Sequence, residues 1–471
     1  MRIRAAAAFA ESGNMLLRTV SDPADQRDTR SAPIDLLAQR PLRAIVSLAA
    51  PTTAVMLIAA LSNVLHTYFV SRLGADAIAA VSLVFPIALI MMTVVSGGLG
   101  AGVASGVARA LGAGRADDAR AVAEHAFAIA ALLSIAGTAA TELGGRVLFH
   151  AMGGQGAVLE QATLFARVLF GGLLITVSVG TFDSILRGAG NVRIPALCST
   201  LSLVLQIALT PLFMFVGGLG LIGAPLATLT GQFIGLVPRV AYVFGGRGHF
   251  RPHIVPRRFS AAHLGEILRV GVPASLSALL NYVALVVLTS TVARYGTHYL
   301  AGYGLGTRLD FVLFSLGFGV AAAALTLVGM AGGAGRRDLV VRYVVRSSLL
   351  ATGVVAIPAM LVTWRPALWL GLFTTDADIQ AVGTRYFRWV GPSYLFMVIS
   401  MVVASAFQGL GRATAPLTVM IARVLLVVTA ALVAARVLAM PADAVFAVIA
   451  GGNVCACLAL IALFRSGFRR E

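Results

Sequence analysis

A chain of 471 residues that is 59% hydrophobic and only 12% charged, with mean hydropathy +0.91, is too apolar for an ordinary soluble domain. Its net charge of +17 comes from arginine alone, and the arginines fall mostly between apolar runs, which points to orientation in a membrane and away from nucleic acid. Cys198, Cys455 and Cys457 sit inside apolar segments and offer neither a disulfide framework nor a metal site.

The first 40 residues are polar and of mixed charge. They lack the apolar core of a signal peptide and read as a disordered cytoplasmic tail. Apolar runs then recur along the chain. About 20 such residues cross ~30 Å of hydrocarbon, and twelve spans are expected. They lie near 44–70, 80–107, 122–141, 165–186, 194–216 and 222–244, then 264–293, 303–330, 341–362, 386–408, 416–438 and 443–464. The longest polar break separates the sixth and seventh. The predicted division is a tail (1–40), an N-terminal six-helix lobe (41–245), a cytoplasmic linker (246–261), a C-terminal six-helix lobe (262–466) and a short tail (467–471). Loops sharing a side with both termini hold more arginines (Arg109, Arg115, Arg120, Arg247, Arg257, Arg258, Arg336, Arg337 among them) than the opposite loops, so both termini are expected in the cytoplasm.

The two halves repeat. Pro51, Arg72 and Gly74 return as Pro273, Arg294 and Gly296, each at an offset of 222 (273 − 51). Ala110–Arg115 returns as Ala331–Arg336 and Arg187–Gly190 as Gln408–Gly411, both at an offset of 221 (331 − 110; 408 − 187). Six spans followed by six in the same order make a parallel repeat, and in transporters the substrate path lies between such halves near the midplane. Glycines at these turns suit tight helix ends and close packing; no strand precedes them to make a phosphate loop.

The chain resembles the multidrug and toxic-compound extrusion (MATE) family over about residues 40–465. The resemblance rests on Thr67-Tyr-Phe-Val-Ser-Arg-Leu-Gly74 followed by Ala79-Ala-Val-Ser-Leu, on the paired loops Leu186-Arg-Gly-Ala-Gly190 and Phe407-Gln-Gly-Leu-Gly411, and on Gly220-Leu-Ile-Gly-Ala-Pro-Leu-Ala-Thr228. It implies an all-α membrane protein of two six-helix lobes in the inner membrane. It further implies a monomeric secondary exporter of amphipathic, cationic compounds in exchange for protons, with no cofactor and no enzymatic activity. The alternatives are a flippase for a lipid-linked precursor and a sodium-coupled exporter.

Ionisable groups inside spans are costly, ~2.5–3.5 kcal/mol on insertion scales, and so usually have a task or a partner. His66 stands eight residues before Gly74, where the resemblance implies an aspartate. Gln206 and Thr210 stand where it implies Asn and Asp. An unperturbed histidine titrates near ~6.5, so His66 is the expected proton-responsive group. Gln206 and Thr210, on one helix face at i,i+4, are its expected hydrogen-bond partners. The glutamate and aspartate of the sodium-coupled branch are replaced by Asn281 and Met397, which disfavours sodium. Asp183, Arg187, Asn281 and Asp310 are the candidate substrate or charge-relay residues, with Asp183 expected to pair with Arg187 one turn on. Asp310 is expected either to pair with a basic residue such as Arg423 or to act as counter-charge for a cationic substrate. Glu124 and His125 read as a solvated face.

Overall fold

The computed structural model describes residues 36–246, 248–256 and 259–469. The expected tail before residue 36, the orientation arginines Arg247, Arg257 and Arg258, and residues 470–471 lie outside them. Among the described residues the chain is all helix and turn. Eleven helices are long and apolar enough to cross a membrane, twelve when a bent pair counts as one span. In chain order these are α1 Pro41–Ser71, α2 Ala75–Gly112, α3 Ala116–Ala151, α4 (Gly156–Gly171 bent by 45° into Leu173–Gly188), α5 Arg193–Val216 and α6 Gly220–Phe244. The second set is α7 Ala261–Ala293, α8 Thr297–Gly333, α9 Arg337–Trp364, α10 Ala377–Gly409, α11 Thr414–Arg436 and α12 Ala442–Gly467. Each overlaps an apolar run seen in the sequence. Helices are the form the composition demands, because a helix satisfies its own backbone polar groups where water is absent.

The repeat is structural. Gly74 and Gly296 open α2 and α8 with φ of 105° and 113°, and Gly190 and Gly411 close α4 and α10 with φ of 81° and 77°. L side chains rarely take that conformation, which explains why glycine stands at both copies.

A two-fold relation also governs how the halves meet. Ser105 Oγ on α2 donates to the Gln408 carbonyl closing α10 (2.5 Å), and Thr326 Oγ1 on α8 donates to the Arg187 carbonyl closing α4 (3.2 Å). Both members of the pair are shifted by 221 (326 − 105; 408 − 187). A Cβ on Gly112 would strike the Met330 carbonyl, and one on Gly333 would strike the Arg109 carbonyl, again the same pair displaced by 221 (333 − 112; 330 − 109). The pseudo-symmetry axis therefore runs between α2 and α8.

These contacts gather at one end of the molecule. They use α2 beyond Val94, α7 before Leu276, α8 beyond Phe318 and α1 before Ala54. Within α2 the stretch Thr93–Leu99 widens into a π-turn, which frees a backbone carbonyl, and Ser275 of α7 donates to that of Val94 (3.4 Å). Toward the other end, Leu61, Val64 and Tyr68 of α1, Val283 and Val286 of α7 and Phe311 and Phe314 of α8 are exposed. Val84, Phe149, Phe165 and Phe170 form an apolar core of the first half, and the larger core of the second half (Leu313, Phe387, Val398, Phe446) also takes in Ile45 and Leu48 of α1.

Candidate functional site

Asp310 lies near the middle of α8. Its two oxygens accept from two tyrosines of α10, Oδ2 from Tyr386 (2.7 Å) and Oδ1 from Tyr394 (2.5 Å). Those tyrosines are eight residues apart, about two turns, so they project from one face. Both are fully enclosed, and Tyr303 and Phe446 stack edge-on against Tyr386. Among the described residues no cation faces the carboxylate. Arg308 turns away to lie over the Phe373 ring (5.6 Å), and the expected partner Arg423 is engaged elsewhere. The pairing of Asp310 with a basic residue is thus corrected: phenolic hydroxyls replace it.

Arg423, near the middle of α11, donates from Nη1 to Asn281 Oδ1 on α7 (3.1 Å) and from Nη2 to Asn453 Oδ1 on α12 (2.8 Å). Asn453 Nδ2 donates in turn to Ser393 Oγ on α10 (3.0 Å), beside Tyr394. Four helices of the second half therefore meet at one guanidinium and two amides. Asn281, which entered as the replacement of a sodium-branch glutamate, sits beside a fixed positive charge.

In the first half Asp183 does not pair with Arg187. Its partner is Arg239 of α6, whose Nε and Nη2 reach Oδ1 and Oδ2 (2.7 and 3.3 Å) while Ser199 Oγ of α5 takes a further bond (2.6 Å). Arg239 is 0% exposed. Arg239 reaches both carboxylate oxygens, the bidentate grip that makes Arg–carboxylate bonds strong. Arg187 instead reaches Ser184 (3.2 Å).

The expected hydrogen bonds around His66 are also corrected. Thr210 turns its hydroxyl back onto the Gln206 carbonyl (2.6 Å), as a helical threonine commonly does. His66 is half-buried, and among the described residues neither it nor the Gln206 side chain makes a bond. Glu124 and His125 are buried rather than solvated, because they tie the linker to α3. Glu124 Oε1 accepts from the His253 backbone N–H (3.0 Å) and from Arg120 (3.0 Å), and His125 Nε2 accepts from the Ser260 N–H (2.9 Å). A further cluster, His298, Asp376 and Asp378, lies exposed at the N-terminal ends of α8 and α10, where Asp376 is occupied capping α10.

Sequence reasoning missed Tyr386, Tyr394, Asn453 and Arg239. Arg239 was findable as a charge inside an apolar span facing the need of Asp183. The tyrosines were not, since a tyrosine in a span is ordinary until a carboxylate is placed against it.

The MatE family model matches residues 51–212 and 273–433, two stretches that repeat the same model. The probable multidrug resistance protein NorM of Thermotoga maritima is 25% identical over 382 residues, 80% of this chain and 81% of that protein. An FAD transporter of Shewanella oneidensis is 28% identical over 277 residues, 57% of this chain and 60% of its own length. A solved outward-facing multidrug resistance MATE transporter of the MOP superfamily superposes with TM-score 0.86 at 27% identity, covering 93% of this chain and 98% of that one.

Proposed function

Since the chain belongs to the MATE family of multi-pass membrane transporters, and is not an enzyme, we propose that it exports small amphipathic compounds in exchange for protons, with Asp310 as the proton-carrying group. The observation that carries this reading is a carboxylate at mid-span held by two tyrosines and faced by no cation among the described residues. Such a group meets the cost of its burial by binding a proton. As a carboxylate it accepts from both hydroxyls. Once protonated, one oxygen becomes a donor and one tyrosine must turn to accept from it. Proton loading therefore alters the contact between α8 and α10, and a ligand biases two states only through such a difference. His66, half-buried and unbonded among the described residues, supplies a second proton acceptor in the other half.

The arginine bias supports both termini in the cytoplasm, which makes the closed end of the molecule the cytoplasmic one and the splayed end the outer one. The chain then acts as a monomer in the cytoplasmic membrane, rocking its halves about the 246–261 linker. The names of its relatives, multidrug resistance and FAD transport, support a small-molecule cargo. Everted vesicles test the coupling. Asp310→Asn is expected to abolish export driven by a proton gradient, Asp310→Glu to keep part of it, and a sodium gradient to drive nothing. Undiminished proton-driven export by Asp310→Asn sinks this assignment and transfers it to His66, whose Gln variant is measured alongside.

A further inference from the structure

We infer that Arg423, with Asn281 and Asn453, forms a docking site for an anionic group, a carboxylate or phosphate, on the exported compound. The assignment rests on the exporter reading above and names its substrate class. A guanidinium carries five N–H groups. Nη1 spends its two on Asn281 and, weakly, on Met420 Sδ (3.8 Å), and Nη2 spends one on Asn453. Nε–H and one Nη2–H remain without a partner among the described residues. Unused N–H donors on a planar guanidinium are what an arginine uses to grip a carboxylate or phosphate.

Charge points the same way. Every partner of Arg423 is neutral, and no carboxylate comes within ion-pair distance among the described residues; Asp310 is held by its tyrosines. The contrast with Arg239 is instructive, because there a carboxylate completes the same fork. An arginine that is purely a brace is usually neutralised in this way, and Arg423 is not.

Arg423 is half-buried and Asn281 exposed, both well inside their spans. Hydrocarbon solvates neither, so polar groups at that depth face protein or a water-filled cleft. The halves pack at one end, and residues of α1, α7 and α8 such as Val64, Val283 and Phe311 stand exposed toward the other. Asn453 fixes the guanidinium from behind through Ser393, while Asn281 holds Nη1. The expectation of a cationic cargo came from the family resemblance, with Asp310 as its candidate counter-charge, whereas the fixed charge beside exposed Asn281 is positive.

Binding and transport are measured separately on the full chain. In detergent, fluorescence anisotropy with carboxyfluorescein as the anionic probe and ethidium as the cationic one compares wild type with Arg423→Gln, Arg423→Lys and Asn281→Ala. Carboxyfluorescein binding is expected to weaken about tenfold or more in Arg423→Gln and less in Arg423→Lys, which keeps the charge but loses the fork. Ethidium is expected to bind no worse. Asn281→Ala leaves the charge in place and is expected to weaken the anionic probe severalfold, which scores the site even if Arg423→Gln unfolds. Wild type that binds ethidium and not carboxyfluorescein overturns the proposal, as does an equal loss of both probes in Arg423→Gln and Arg423→Lys. Everted vesicles then separate the two readings: anion binding without gradient-driven uptake of either probe overturns the exporter and keeps the anion site.

Discussion

At the scale of single residues, the same side-chain type serves opposite ends. Arg239 and Arg423 both stand inside apolar helices, but only Arg239 meets a carboxylate, and it is the more deeply enclosed. Its bond to Asp183 ties α4 to α6 and, through Ser199, to α5. Removing one member of such a pair leaves an uncompensated buried charge, a loss of about 3–5 kcal/mol. Asp183→Asn is therefore expected to lower the thermal midpoint of the purified protein sharply. The double variant Asp183→Asn, Arg239→Leu is expected to recover part of it, because neither charge is then stranded. A double variant no more stable than the single one refutes this account. Legibility in the sequence divided along the same line. Asp183, Asp310, Asn281 and His66 stood out because polar groups in spans are rare. Their partners did not, because which of several helices lies alongside is not written in any one of them.

At the scale of elements, the helices were legible and their ends nearly so, since twenty apolar residues between arginines have one stable form in a bilayer. How closely two of them approach depends on what lies at the crossing. Gly112 and Gly333 each sit against a carbonyl of the facing helix, Met330 and Arg109 respectively, with no room for a β-carbon. Gly333→Val is expected to push α8 from α2 and to reduce gradient-driven transport at least tenfold. Spin labels on the facing ends of the two helices would report a longer and broader distance distribution. An unchanged distribution would show that the seam tolerates bulk. The linker is tied by the same economy, with Glu124 and His125 reading as surface in the sequence because their partners, His253 and Ser260, lie more than a hundred residues away.

For the whole molecule, the duplication copies the scaffold and not its chemistry. Ser105 and Thr326, Gly112 and Gly333, and Gly190 and Gly411 hold equivalent posts. By contrast, a shift of 222 from Asp310 reaches Ala88, and one of 221 from Arg423 reaches Ser202 (310 − 222; 423 − 221). The closure between halves is lopsided too. Arg109 binds Glu266 at the start of α7 (2.9 Å) and the Gly409 carbonyl (3.1 Å), whereas the residue equivalent to Arg109 is Met330 (109 + 221), which forms no such latch. Arg109→Ala is expected to depopulate the state closed at this end, seen as a shift in the label distances between α2 and α7. Glu266→Ala is expected to shift them in the same direction by less, since the Gly409 bond survives. No shift in either variant would reduce the latch to a surface contact.

The sequence by itself determined that this is an all-helical membrane protein of about twelve spans in two repeated halves, because span length, composition and a constant offset are properties of the chain read along its length. The tertiary structure alone decided that Asp310 faces two tyrosines, that Asp183 belongs to Arg239, and that Arg423 stands against two amides with part of its fork unused. Lipid tails are as apolar as the helices, so the pattern of hydrophobicity alone is silent on neighbours. Which polar groups meet is settled only when the helices close.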